Sequence, residues 1–377
     1  MLMLLSLTNV PRPWAWGSRT LLAELEGRVP SGAPEAEVWF GDHHADPSDV
    51  AGDGTLDRVT GGALPYLLKL LAADEPLSIQ VHPTLEQARA GWAREGGLDA
   101  DDPRRNYRDD NHKPELLVVL SETFESLSGL RPLDRTRELL SLLGDGAGVS
   151  ALRDRLGGEG DALRRTLAWV LGEASQSEID QIISAARAAA HSETGEWAPT
   201  LRAIDRVADV HPGDAGVVVA LLMNHLVLHR GEGLFLRAGL LHAYLRGLGV
   251  EIMAASDNVL RGGLTPKHID VPELLAVVDT QPGDVPVLRP EEDAAIAEYP
   301  VPVPDFALRR VSLSGAPVTL PVTGPTMVLA TAGRVAVGGS GADEREVPVG
   351  TAVFATADEG AVTITGRGEA FIATPGR

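Results

Sequence analysis

Gln80 and His82 lie two residues apart in Ser78-Ile79-Gln80-Val81-His82-Pro83, a short β-prone stretch that stops at a proline. Residues two apart on a strand share a face, so an amide oxygen and an imidazole are expected side by side. Glu115 closes Asn111-His112-Lys113-Pro114-Glu115 and opens an apolar run, 116–120, at the mouth of a second expected strand. His242 lies in a third, 240–245. One amide oxygen, two imidazoles and one carboxylate form a mixed nitrogen–oxygen set. Such a set suits a divalent metal of the zinc type, with positions left open for water or substrate. Spacing alone does not establish that metal, because a His-Pro pair after a strand is more often structural.

Other groups gather around the same stretches. Tyr244 is two residues from His242 and shares its face. Glu251 sits on an expected strand, 250–254, where an inward carboxylate needs a partner. Asp257-Asn258 is a turn signal, and Arg261 and Lys267 follow in a glycine-containing loop where cations could meet a phosphate. The chain has 33 Lys plus Arg, yet its only lysines are Lys69, Lys113 and Lys267. Where arginine is so favoured, each lysine is a candidate for work that needs a compact charge. Lys69 interrupts the apolar run Tyr66-Leu67-Leu68-Lys69-Leu70-Leu71 and is expected to point inward, near Glu115. The loop Asp42-His43-His44-Ala45-Asp46 reads as solvated surface. His225 and His229 have helical zinc spacing, but the residues between them read as a strand.

The elements that must position these groups are mostly strands. Short apolar stretches at 38–40, 66–71, 77–81 and 116–120 are separated by Gly, Pro and Asp clusters. A helix is expected over 85–94 with Thr84 as its N-cap. Residues 133–210 turn helical, with Leu163, Leu167, Val170 and Leu171 on one face and a Ser175/Glu178 capping box before Ile179. A helix opened by Asp214 follows, then short strands return through 226–228, 234–236, 240–245 and 250–254. From about 290 the chain is β-rich again and carries no acid–base or metal cluster. The expected fold is mainly β with an α insertion. A metal-binding jelly-roll (cupin) domain is formed by 1–130 plus 211–289, with a helical insertion at 131–210 and a second jelly-roll-like β-domain at 290–377.

Bulk composition narrows the classes. At 377 residues, 44% of them hydrophobic, the chain can bury several cores. A formal charge of −20 disfavours nucleic acid and anionic membranes as partners. No cysteine is present, so disulfides and thiolate metal sites are impossible, which fits a reducing, cytoplasmic setting. The apolar start reads as a first strand, and no run approaches the ~20 residues that span a bilayer.

The runs Tyr107-Arg108-Asp109-Asp110-Asn111-His112-Lys113-Pro114-Glu115, His242-Ala243-Tyr244-Leu245, Ser256-Asp257-Asn258 and Leu264-Thr265-Pro266-Lys267 resemble the type I phosphomannose isomerases. So do Ala15-Trp16-Gly17 and residues 77–83, so the likeness spans about the first 270 residues in order. The resemblance implies an aldose–ketose isomerase interconverting mannose 6-phosphate and fructose 6-phosphate through an enediol. It implies one zinc ion held by Gln80, His82, Glu115 and His242, with Arg261 steadying developing charge and Tyr244 turned into the site. Either Glu251 or Lys113 would move the proton, and the residues do not choose between them. Ser78 and Lys267, joined by Lys113, would meet the phosphate, with Lys69, Asp257 and Asn258 also on the substrate side. A small sugar phosphate is then the partner, and the chain is expected to be a monomer. Two rivals stay open at this point: an iron oxygenase on the same fold, and a sugar-binding regulator without turnover.

Overall fold

A computed structural model describes residues 3–52, 54–99, 102–157, 160–291, 294–340 and 344–376. Among them the chain forms two large antiparallel sheets and a layer of helices.

The first sheet is built around one strand, His242–Ala254. Its second half pairs with Tyr66–Ala73 on one side and Glu115–Val119 on the other. Its first half pairs with Thr123–Leu130 and, at His242, with Gln80 of Ile79–Val81. The sequence pattern splits this region into two strands, 240–245 and 250–254. The structure instead keeps one, bent at an irregularity between Tyr244 and Arg246. Such a bulge changes a strand's direction without ending its pairing. Gly247 follows at φ 135, where a Cβ would come within 2.5 Å of the Phe124 ring, so a side chain has neither the conformation nor the space.

Tyr66–Ala73 is buried on both faces, and its alternation sorts the two. Leu68, Leu70 and Ala72 join Leu116, Val118, Val250 and Ile252 in an apolar cluster shared with Tyr299, Leu308, Met327, Leu329 and Phe371 of the second sheet and with Phe306 beside it. Lys69 and Leu71 alternate with them and line the interior, along with Glu115 and Glu251. Register is therefore decisive. A slip by one residue would turn Lys69, Glu115 and Glu251 into the apolar seam between sheets.

The helices Leu133–Ser141, Ala147–Arg155, Ala162–Gly172, Gln176–Ser192 and Ala198–Val210 occupy the segment with helical periodicity. Leu163, Leu167, Val170, Ile179, Ile182 and Ile183 are buried as that spacing requires. The capping boxes at Thr84 and Ser175 both form. The short helix Ala215–Leu221 also packs into this layer and touches the strand Leu260–Gly263.

The second sheet runs Ile296–Tyr299, Ala307–Ser314, Ala361–Thr374, Thr326–Gly339 and Ala352–Ala355, with Val318–Pro321 and Arg345–Val347 beside it. Its order continues into Leu4–Thr8 and Asp49–Val50, so the first strand of the chain pairs with Ala352–Ala355 near its end. The stretches 327–330 and 335–337, separate strands by pattern, are parts of one strand, Thr326–Gly339. It pairs along its length with Ala361–Thr374. Among the described residues no helix is long and apolar enough to cross a membrane.

Candidate metal centre

His82 follows the strand Ile79–Val81, and His242 opens the strand that pairs with it. Both rings are almost wholly buried. The His82 Nδ1 lies 2.7 Å from the Asn258 backbone carbonyl, and the His242 Nδ1 lies 2.9 Å from the Leu240 carbonyl. A carbonyl can only accept, so each Nδ1 carries the proton and each Nε2 presents a lone pair. Those lone pairs turn on one carboxylate. His82 Nε2 is 3.3 Å from Glu115 Oε1, and His242 Nε2 is 3.5 Å from Glu115 Oε2.

The His82 Nε2 is buried without a hydrogen-bond partner, despite its closeness to Glu115. The two observations agree once the tautomer is assigned, because two acceptors at that distance repel rather than bond. Burial is the main force on the His82 ring and pushes its pKa down to about 4 against the pull of Glu115, so it is neutral at pH 7. Glu115 is held well below the usual carboxylate range. Burial raises it, but Lys113, with its Nζ 3.0 Å away, and His82 lower it further. Two imidazole nitrogens and a carboxylate oxygen, all within 4.8 Å of one another, fit a divalent cation. Gln80 lines the same cavity of about 60 Å³. Its amide NH₂ donates to Ser78 Oγ at 3.2 Å, which leaves its oxygen as the free end.

A buried polar wall faces this set. Lys69 stands directly opposite Glu251 across the strand pair, and its Nζ is 3.1 Å from Glu251 Oε2 and 3.3 Å from Glu37 Oε2. Tyr244 donates to Glu251 Oε1 at 2.9 Å, and the Trp39 indole donates to Glu37 at 2.6 Å. Burial lowers the Lys69 ammonium's affinity for its proton, but Glu37, Glu251 and Glu115 overcome this and raise it. Burial raises Glu251 above the ordinary carboxylate range, with Lys69 opposing. Tyr244 is raised by burial and by Glu251. The inward lysine expected from the sequence is therefore found in the cavity wall. Glu37 was not anticipated. Its signal was there: a carboxylate two residues before Trp39 on an otherwise apolar strand, Glu37–Phe40.

The remaining expected residues fall into two groups. Arg261 is partly buried and Lys267 exposed, and among the described residues neither side chain has a hydrogen bond or ion pair. Burial and the neighbouring Arg108 lower the Arg261 pKa, while burial, Arg261 and Arg108 lower that of Lys267. Arg261 and Lys267, without a counter-charge among the described residues, can receive an anion. Asp257 and Asn258 serve differently. Asn258 is fully buried, and its side chain bonds the backbone of Arg108, Asp109 and Asn111 while its carbonyl orients His82. It thus acts through its neighbours rather than by touching substrate. Asp257 accepts from His43 Nε2 at 3.1 Å.

That contact changes the reading of the 42–46 loop. His44 is exposed as expected, but His43 packs edge-on to Trp39 and reaches Asp257. His43, His44 and Asp257 form the other cluster of metal-capable groups among the described residues. His225 and His229 lie on the strand Met223–His229, so the helical pair does not exist, and His225 meets Glu125 instead. His112 reaches Asp305, beyond the first sheet, at 2.9 Å.

Comparison with known proteins bears on the whole chain. The family description "Phosphomannose isomerase type I, catalytic domain" matches residues 4–133. A mannose-6-phosphate isomerase of Escherichia coli (strain K12) is 34% identical, covering 96% of this chain and 97% of that one. The Homo sapiens mannose-6-phosphate isomerase is 31% identical over 80% of each. Among solved structures, a mannose 6-phosphate isomerase bound with zinc and yttrium superposes with a TM-score of 0.89 at 32% identity, covering 99% of this chain and 100% of that one. The apo form of the Salmonella typhimurium enzyme matches equally well, with a TM-score of 0.89 at 31% identity and full coverage of both chains.

Proposed function

Since the chain belongs to the type I phosphomannose isomerase family, we infer that it interconverts mannose 6-phosphate and fructose 6-phosphate by moving a proton between adjacent carbons through an enediol. The observation that carries the site is the pair of buried imidazole lone pairs converging on Glu115, with both Nδ1 protons tied to backbone carbonyls. Whole-chain kinship sets aside the oxygenase and the regulator without turnover.

His82, Glu115 and His242 would hold the metal with Gln80 as fourth ligand, one zinc per chain. A bound metal supplies Lewis-acid polarisation of the sugar's reacting oxygens. The remaining chemistry belongs to side chains. Glu251 is the better candidate for the proton carrier, because burial brings its pKa upward, toward the range where a carboxyl both takes and returns a proton. Lys113 is tied to Glu115 at 3.0 Å and so braces the ligand carboxylate. Lys69 and Tyr244 fix the two Glu251 oxygens, so that its free lone pairs face the cavity. Arg261 steadies anionic charge that develops on the sugar, and Ser78 and Lys267 receive the phosphate. A jelly-roll (cupin) arrangement of the first sheet, with a related second β-domain, is the topology this reading assigns. A coupled isomerase assay tests it: chelation should abolish turnover and zinc should restore it. An enzyme that keeps full turnover after exhaustive chelation would falsify the metal role.

A further inference from the structure

Arg261 lies on the strand Leu260–Gly263 and Lys267 in the loop that leaves it, and that strand alone does not shape the turn between them. Leu264 has φ 55, and among the described residues it is the one non-glycine residue with positive φ. A left-handed leucine costs about 1 kcal/mol and persists only where its surroundings hold it there. Gly263 beside it lies at φ 128.

What holds it comes from fifty residues earlier in the chain. Asp214 is the N-cap of the helix Ala215–Leu221 and accepts the Gly216 N–H at 2.7 Å, as an N-cap should. The same Oδ1 also accepts the Leu264 N–H at 3.1 Å, and Oδ2 accepts the Thr265 N–H at 3.1 Å. Helix capping needs only the first of these three bonds. The backbones are also in contact. A Cβ on Gly216 would lie 2.5 Å from Leu264 N, and one on Gly263 would lie 2.3 Å from the Gly216 Cα. Leu264 itself is buried in the core shared with the helical layer. Asp214 and the two glycines therefore fasten the 261–267 loop to the helices at the point between its two cations.

We propose that Asp214 is a positioning residue for substrate phosphate, holding the loop so that Arg261 and Lys267 converge on the anion. The proposal rests on the reading that these cations meet the phosphate. Arg261 and Lys267 repel each other and Arg108, so an unfastened loop would let them separate. The helical layer then takes part in substrate binding, because it sets the spacing of the phosphate-binding charges.

The sign of the effect separates positioning from simple charge. Asp214 is an anion near an anion site, so as a bare charge its removal should tighten phosphate binding. As a clamp, its removal should loosen it. Serine caps helices well but is too short to reach the loop, so Asp214→Ser keeps the cap and removes the clamp. In the zinc-loaded enzyme, competitive inhibition by inorganic phosphate should weaken at least about fivefold in Asp214→Ser, with KM for mannose 6-phosphate rising by more than kcat falls. Zinc content should be unchanged. Asp214→Asn keeps the Oδ1 acceptor and loses Oδ2, so it should show a smaller change of the same sign, and it serves as the readout if the serine variant loses its helical circular dichroism. Lys267→Ala should weaken phosphate inhibition by itself, and adding Asp214→Ser to it should cost less than Asp214→Ser costs alone. Unchanged or tighter phosphate inhibition in both Asp214 variants, while Lys267→Ala weakens it, overturns the clamp and leaves the phosphate reading standing. No effect from Lys267→Ala overturns the phosphate reading, and the clamp with it.

Discussion

The two sheets are built from similar apolar strands and share one seam, yet they treat charge in opposite ways. The first buries Glu37, Lys69, Lys113, Glu115, His242 and Glu251 around one small cavity, with His82 buried against Glu115. The second buries Arg310 and Glu359, and its own core of Val311, Val328, Val337, Val353, Val362, Ile364 and Ile372 is wholly apolar. Taking a charge out of water costs several kcal/mol, and pairing it seldom makes the fold more stable than an apolar core would. A sheet built for stability alone would look like the second. The concentration of paired, buried charge in the first is a cost carried for chemistry. It also ties Glu115 and Glu251 to the charges beside them, so that neither titrates independently of its neighbours.

The comparison breaks first at the ligands. His242→Ala should remove the metal and lower turnover by about a thousandfold or more, since Lewis-acid assistance is worth several kcal/mol. The fold should survive, because among the described residues the imidazole's polar contacts are with the Leu240 carbonyl and Glu115. Metal analysis and circular dichroism on the same sample check both halves, and full metal occupancy would remove His242 from the ligand set.

The reverse experiment belongs to the second sheet. Phe371→Ala deletes a fully buried ring from the seam between sheets and should cost about 3 kcal/mol of stability or more. Below its lowered melting temperature, the variant should retain kcat near that of the parent. A thousandfold loss of kcat in folded protein would mean that the seam itself participates in the chemistry.

Lys69→Arg should lower kcat/KM by at least about 10-fold, or 1.4 kcal/mol, with little change in melting temperature, because the planar fork cannot reproduce the point contact to Glu37 and Glu251. Lys69→Met tests the proton carrier. The ammonium lowers the Glu251 pKa, so losing it raises that pKa. If deprotonated Glu251 is the working form, the acid limb of kcat/KM moves to higher pH, and an unmoved limb would shift the role toward Lys113. The same raised carboxyl has a stability consequence. Its folded pKa lies above its unfolded value, so between the two the native state binds more protons, and stability falls as pH rises through that window.

The smallest effect is expected on the solvent side of the second sheet. Thr319 and Thr363 share an exposed hydroxyl pair at 2.9 Å, and Thr363→Ala should change stability by no more than about 0.5 kcal/mol and leave turnover alone. A large kinetic effect there would blur the division between the two sheets.

Much of this was legible in the residues themselves. The strand and helix periodicities, the N-cap at Thr84, the capping box at Ser175 and the inward Lys69 are local matters, set by spacing and by the cost of burying a charge. Tertiary structure alone decided the rest, because it depends on register between distant segments. Nothing near Leu4–Thr8 announces that it pairs with Ala352–Ala355, since either sheet would accept an apolar strand. One bulge after Tyr244 merges two apparent strands into one and brings His242 and Glu251 into a single cavity. Glu37 needed the Lys69 ammonium, brought within 3.3 Å from the neighbouring strand, before its carboxylate had a purpose. Asp214 looked like an N-cap and nothing more, until folding brought the Leu264 and Thr265 amides to its second face. A sequence specifies which groups must be buried and on which face of an element they stand; which groups meet there is settled by long-range pairing, whose energy appears only when the chain has closed on itself.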